Sequence, residues 1–391
     1  MRALRVCFET PARSSKLKGK IGDPMRSDNA IPFDRQSFQL CDMRDSKTPR
    51  IHLAFGFQTA LQIFRSLDRE AADKRRYSRI VSHDADATVA RGTSSTLPCG
   101  VPSKPDLSRA FDRLRLEHPG LEFDMPAHLL IGSGSRCRSN DRAIAHLCQA
   151  EIPRRALCRL NASTVLASPN LALCQIAACP QDPIALLQLL WEACGTYGTP
   201  LTGPASFAET AFDLLPLTSL RSLRAFCSRN SHLNGAAKIA RMLKYVADGS
   251  ASPRETGLAL LLGLPFRYGG YNLGIPVMNH EVKASKKAWE MSGKRSFFLD
   301  LSWPEARIDV EYQSRYGHSG EEARIGDSRR ANALRSMGWN VMGVTGLEAT
   351  GLPSIDTIAN TVRRCLGKRA RPYTLELHEQ RMRLRRALDL M

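Results

Sequence analysis

Phe297-Phe298-Leu299-Asp300-Leu301-Ser302-Trp303, then Pro304-Glu305-Ala306, then Arg307-Ile308-Asp309-Val310-Glu311-Tyr312-Gln313 is the stretch on which the fold turns. Its first arm is aromatic and aliphatic, the composition of a pleated, half-buried strand. Pro304-Glu305-Ala306 breaks it before the second arm, so the pair is predicted to be a hairpin with Asp300 in its first strand. In the second arm Ile308, Val310 and Tyr312 fall on one face. Asp309, Glu311 and Gln313 therefore share the other, because side chains alternate along a strand with a period of two. An acidic face on a ribbon inside a basic chain calls for a cation. Two carboxylates on adjacent strands suit Mg2+, a hard ion that takes one or two protein carboxylates and keeps positions for water and phosphate oxygens. Such an ion polarises a phosphodiester and activates a water nucleophile. The competing reading is a solvated acidic face on a two-stranded ribbon.

Upstream, Ser252-Pro253-Arg254-Glu255 is a helix start: serine caps, proline suits the first turn, and glutamate three residues on completes a capping box. That helix is predicted to run to about Leu262, and capping alone accounts for Glu255. Downstream, His318 sits among Gly317, Ser319 and Gly320, in a flexible stretch where it either shuttles a proton or lies on a polar loop. Asp327-Ser328-Arg329-Arg330 is predicted to open a helix that carries Ala331, Leu334 and Met337, with Asp327 as its N-cap and Gly338 as its stop. Trp339-Asn340-Val341-Met342-Gly343-Val344-Thr345 reads as a further strand. The expected order is helix, hairpin, helix, strand.

Taken in order, these segments resemble the very-short-patch-repair-like endonuclease domains of bacteria, within the PD-(D/E)XK superfamily. The resemblance rests on Ser252-Pro253-Arg254-Glu255-Thr256, Leu299-Asp300-Leu301-Ser302-Trp303-Pro304, Asp309-Val310-Glu311-Tyr312, His318, Asp327-Ser328-Arg329-Arg330, Ala333-Leu334 and Gly338-Trp339-Asn340-Val341. It implies that Asp300 and Glu311 bind Mg2+, that Gln313 stands at the superfamily's lysine position, and that Glu255 adds a carboxylate. Asp327 and Arg330 match a recurring helix pair of the family. Glutamine supplies no positive charge to a transition state, so Gln313 is the departure from the pattern. Asp309 shares the acidic face without a counterpart in the family, and replacing it is expected to matter less than replacing Asp300 or Glu311.

The 391 residues are long enough for two domains. Lys and Arg outnumber Asp and Glu by 56 to 38, and the net charge of +18 favours polyanions such as DNA. The eleven cysteines show no zinc-ligand spacing and are expected to be free, mostly buried thiols. Apolar runs such as Leu171 to Ala178 and Leu258 to Leu264 stop far short of the ~20 residues that span a bilayer. No secretory signal is evident at the start, so a cytoplasmic protein is expected. No stacking platform for RNA is evident.

Residues 1–50 mix Lys, Arg, Ser, Asp and Pro without periodic apolar positions and read as a basic tail. From Ile51 an apolar stripe through Leu53, Phe55, Leu61, Ile63 and Phe64 predicts a short strand and a helix. Residues 69–106 are polar and read as a loop or insertion. His128 to Ile131 and Thr164 to Leu166 read as strands, and Asn170 to Ala178 and Pro183 to Ala193 as helices. Asn234 to Asp248 carries Ile239, Leu243 and Val246 at helical spacing and predicts a surface helix closed by Gly249. Residues 126–200 are also similar to a region that precedes the nuclease in some actinobacterial relatives.

The expected architecture is α/β. It comprises the tail, a helix-rich N-terminal accessory region at 51–230, a restriction-endonuclease-like mixed sheet flanked by helices at 231–370, and a basic C-terminal helix at 371–391. Arg329, Arg330, Arg363, Arg364, Lys368 and Arg369 are the expected DNA contacts. The expected function is a metal-dependent DNA endonuclease. The alternative is a catalytically degenerate, DNA-binding regulator or antitoxin-like protein that keeps the nuclease fold.

Overall fold

The computed structural model describes residues 51–74, 97–132, 138–149, 151–200, 209–313, 321–370 and 372–391. The protein is α/β, with two mixed sheets. In the N-terminal half, β1 (Leu53–Phe55), β2 (Ala127–Ile131), β3 (Ala143–Leu147), β4 (Leu157–Asn161) and β5 (Thr164–Ala167) form a five-stranded sheet in the order β3-β2-β1-β5-β4. β1 runs parallel to β5 and antiparallel to β2. The region expected to be helix-rich therefore carries a sheet as well. β1 and α1 (Phe57–Lys74), β2 and β5 lie where the apolar stripes place them, whereas Ala-Ile-Ala-His-Leu of β3 and Leu-Cys-Arg-Leu-Asn of β4 are too mixed in composition to read as strands.

The polar stretch after α1 ends in a helix, α2 (Lys104–Glu117), whose N-cap Ser103 accepts from Asp106 N. Both expected helices that follow β5 form. α3 (Pro169–Ala178) is capped by Ser168, and α4 (Pro183–Cys194) by Asp182, which accepts from Ile184 N and Ala185 N. Every residue of α3 from Leu171 to Ala177 is buried, as a helix that is apolar all round must be.

After α5 (Leu220–Arg229), the surface helix predicted over Asn234 to Asp248 is shorter than expected: α6 (Ala236–Met242) gives way to a single tight turn at Leu243–Tyr245. Trp191 Nε1 donates to Tyr245 O at 2.8 Å, which diverts that carbonyl from a helical bond, and Val246 is extended.

The C-terminal half opens with α7 (Pro253–Gly263), whose cap Ser252 accepts from Glu255 N, as the sequence predicts. Then come β6 (Val277–Lys283), α8 (Lys286–Ser292), β7 (Ser296–Trp303), β8 (Ile308–Gln313), α9 (Glu321–Ser336) and β9 (Asn340–Thr345). The sheet order is β6-β7-β8-β9, with β9 parallel to β8 and the other pairs antiparallel. Helix, hairpin, helix and strand are present in the predicted order. β6, on the outer side of β7, is an addition, and its alternation is weak because most of its residues are half-buried or exposed.

α9 begins at Glu321, so Asp327 lies in its interior and is not the N-cap. Glu321 and Glu322 suit the positive end of the helix dipole. Gly326 costs about 1 kcal/mol in mid-helix, offset by the complete burial of Ala333 and Leu334. The chain ends in α10 (Gly346–Thr350), α11 (Leu352–Cys365) and α12 (Leu375–Ala387).

One apolar core runs through both halves and holds Ala54, Leu130, Leu190, Leu260, Leu301, Val344 and Leu388. Each such side chain contributes roughly 1.5–3 kcal/mol on burial. Polar ties cross the same junction: Thr256 Oγ1 lies 2.8 Å from both Tyr197 Oη and Ser250 Oγ. No helix among the described residues is long and apolar enough to cross a membrane. All described cysteines are free, and only Cys99 and Cys365 are exposed.

Candidate functional site

The hairpin pairs Trp303 with Ile308, Ser302 with Asp309 and Leu301 with Val310. Continuing that register sets Asp300 opposite Glu311, and there the ladder opens: Asp300 Oδ2 accepts from Tyr312 N at 3.0 Å. Glu255 reaches the same place from the first turn of α7. Its carboxylate accepts from Ser252 Oγ at 3.0 Å, Ala251 N at 3.1 Å and Asn279 Nδ2 at 3.4 Å. Asn279 adopts φ 46°, a left-handed conformation that asparagine tolerates better than most residues. Glu255 thus serves both roles read from the sequence, cap and site carboxylate.

The electrostatics are those of crowded, buried acids. Asp300 is pushed up to about 7 by burial first and by Glu255 next, with Glu311 adding to the effect, while Tyr312 N and Arg330 pull the other way. Burial also raises Glu255, against its three hydrogen bonds. Asp309 is fully buried, and its carboxyl is pushed up to about 9 by burial and then by the neighbouring Glu311. Neither oxygen of Asp309 has a hydrogen-bond donor.

Arg330 is the cation at this cluster. Its Nε donates to Glu311 Oε1 at 3.1 Å, and its Nη2 contacts the same oxygen and Phe298 O. With about four-fifths of both side chains covered, this pair is shielded from solvent. Arg330 was expected to contact phosphates; it is engaged inside the site instead. Gln313 lies against β9, where a Cβ at Gly343 would come within 2.5 Å of its Nε2. His318 falls outside the described residues.

Of the other expected DNA contacts, Arg329, Arg364 and Arg369 are exposed. Lys368 is exposed along its stem while its Nζ donates to Leu273 O at 2.6 Å. Arg363 is buried and donates to Tyr271 O at 2.9 Å, so it is not on the surface at all. The basic C-terminal helix is likewise only partly a surface. Arg381 packs 3.7 Å over the Tyr271 ring and pairs with Asp356 at 3.1 Å, and Arg385 donates to Ala349 O and Thr350 O. Burial of α12 along one side puts half of its arginines to structural use.

Among the described residues, no group of three or more His, Cys, Asp or Glu is set to hold a metal ion. Mg2+ asks for only one or two protein carboxylates, and the hairpin supplies them. The donor set fits such an ion: oxygen ligands alone, more buried carboxylates than Arg330 can balance, and two carboxylate oxygens on Asp309 with no donor. A cleft lined by Gln188, Tyr197, Arg254, Glu255, Tyr312 and Asp389 reaches the cluster, so the N-terminal half walls its approach. Asp309 and Asn279 are the site residues that sequence reasoning missed. Asp309 had a signal, its place on the same strand face as Glu311; Asn279, on the unrecognised β6, had none.

No family model matches the chain, and no solved structure matches it. The chain is 26% identical over 132 residues to uncharacterized proteins from two strains of Mycobacterium tuberculosis, a match covering 32% of this chain and 44% of each relative. It thus spans less than half the length of the relatives it matches.

Proposed function

We propose that residues 252–346 form a restriction-endonuclease-like, PD-(D/E)XK-type site that hydrolyses DNA phosphodiester bonds with the aid of Mg2+. The observation that carries this reading is the meeting of Glu255, Asp300 and Glu311 where the β7–β8 hairpin opens. The element order around them, helix, antiparallel strands, helix and parallel strand, supports it.

Asp300 and Glu311 would hold the ion, which when bound polarises the scissile phosphate and activates water. The Tyr312 N–H orients Asp300, and Arg330 orients Glu311. A carboxyl near 7 lets Asp300 exchange a proton at neutral pH, the range in which general acid–base groups work best. Arg329, Arg364, Lys368 and Arg369 supply exposed positive charge for the DNA backbone.

The test is cleavage of plasmid and mismatched duplex with Mg2+ or with chelator. Asp300→Ala and Glu311→Ala should each cost several kcal/mol of transition-state stabilisation while DNA binding survives. Cleavage that persists in both variants would remove the site from this position.

A second reading, a DNA-binding regulator that keeps the fold without the activity, is favoured by two observations. Gln313 stands where the resemblance calls for lysine, and Arg330 already engages Glu311. Binding without metal-dependent cleavage on any duplex or single strand would establish it.

A further inference from the structure

We infer that Asp309 is itself a ligand of the divalent cation, shared with Glu311, an inference that rests on reading the cluster as a cation site. Asp309 has no exposed surface, and neither carboxylate oxygen meets a donor. Its cross-strand partner Ser302 does not help, because the serine hydroxyl donates to Val277 O at 3.2 Å. The polar group beside it is the Glu311 carboxylate, an acceptor like itself.

An isolated buried carboxylate is expensive, and the groups that relieve it in proteins are hydrogen bonds, a paired cation or a metal. Hydrogen bonds are lacking, and the nearby arginine is committed elsewhere: both Arg330 contacts go to Glu311 Oε1, leaving Oε2. Asp300 likewise has one oxygen, Oδ2, taken by Tyr312 N. The carboxylate oxygens left over on Asp300, Glu311 and Asp309 all belong to one end of the hairpin, and Asp309 and Glu311 alternate onto the same strand face. A hard cation is the partner that oxygen-only chemistry selects. The expectation from sequence that Asp309 matters little is thereby reversed.

The test uses the full chain and Mg2+ or Mn2+, followed by calorimetry and by thermal melting with and without the ion. Asp309→Asn keeps the shape and removes the charge. It should melt higher than wild type in chelator, because a buried charge is gone, and should bind Mn2+ at least about tenfold more weakly. Glu281→Gln, an exposed acid on β6, should change neither quantity. Wild-type binding with equal affinity in Asp309→Asn overturns this inference and leaves the cation site standing. Absence of any divalent binding by wild type overturns both. Should Asp309→Asn not fold, anomalous diffraction from Mn2+-soaked wild-type crystals decides: a peak at coordination distance from Asp309 supports the assignment, and a peak contacting only Asp300 and Glu311 overturns it.

Discussion

Among the residues of the cluster, Asp300 and Asp309 make pH the most direct probe. Their carboxyls sit near 7 and near 9, whereas an aspartate in an unfolded chain titrates near 4. Between about pH 4 and 7 the folded protein holds a proton on Asp300 that the unfolded chain has released, so stability falls as pH rises; Asp309 extends the fall to about pH 9. The expected outcome in chelator is a melting temperature that drops from pH 5 to pH 9. The decline should be shallower in the double variant Asp300→Asn, Asp309→Asn, which also controls for the titration of the rest of the chain. Mg2+ should restore most stability at the alkaline end, where both acids are ionised. Parallel melting curves for wild type and double variant would refute the burial argument.

Strands and helices meet at glycines that test the packing between them. At Gly343 an added Cβ would press on the far end of Gln313, a side chain free to swing, so Gly343→Ala should cost less than about 1 kcal/mol. If Gln313 orients a water or the ion, Gly343→Ala should slow cleavage to the same degree as Gln313→Ala; a large effect of the glycine variant alone would discard that role. Gly269 differs in kind. Its φ is +87°, and an added Cβ would sit 2.3 Å from Gln380 O, a backbone atom of α12. Gly269→Ala combines a left-handed backbone with a collision that no side chain can relieve, so chemical denaturation should show a loss of more than about 2 kcal/mol. A near-neutral result would mean that α12 shifts easily.

Over the whole molecule, α12 belongs to the shared core and is no detachable basic arm: Leu384, Leu388 and Leu390 are buried in the cluster that also holds Ala54 and Leu190. Truncation at residue 372 should therefore unfold or aggregate the protein instead of merely weakening DNA binding, as circular dichroism would show. The surface charges are separable. Arg329→Gln, Arg364→Gln and Arg369→Gln should each lower the salt slope of DNA binding by about 1 if they contact phosphates, read by fluorescence anisotropy across a salt series. Arg363→Gln should instead lower the melting temperature, because its guanidinium holds Tyr271 O inside the protein.

The features that the sequence alone determined are local. Alternation over Phe297 to Gln313 placed the hairpin and put Asp300 and Glu311 in adjacent strands. Ser252 with Glu255 placed the start of α7, and Gly338 followed by Trp339 to Thr345 placed β9. Each of these signals is carried by neighbours a few residues apart, through side-chain periodicity or capping bonds, and needs no knowledge of the rest of the chain. Tertiary structure decided the remainder. Whether Asp309 is solvated or sealed, whether Arg330 faces phosphate or Glu311, and whether Arg381 lies on the surface or on Tyr271 depend on which distant segments arrive beside them. β6 joined the sheet because β7 offered it an edge, not because its own residues alternate clearly. Burial and charge pairing depend on groups far apart in the chain, and composition and spacing carry no record of where those groups will meet.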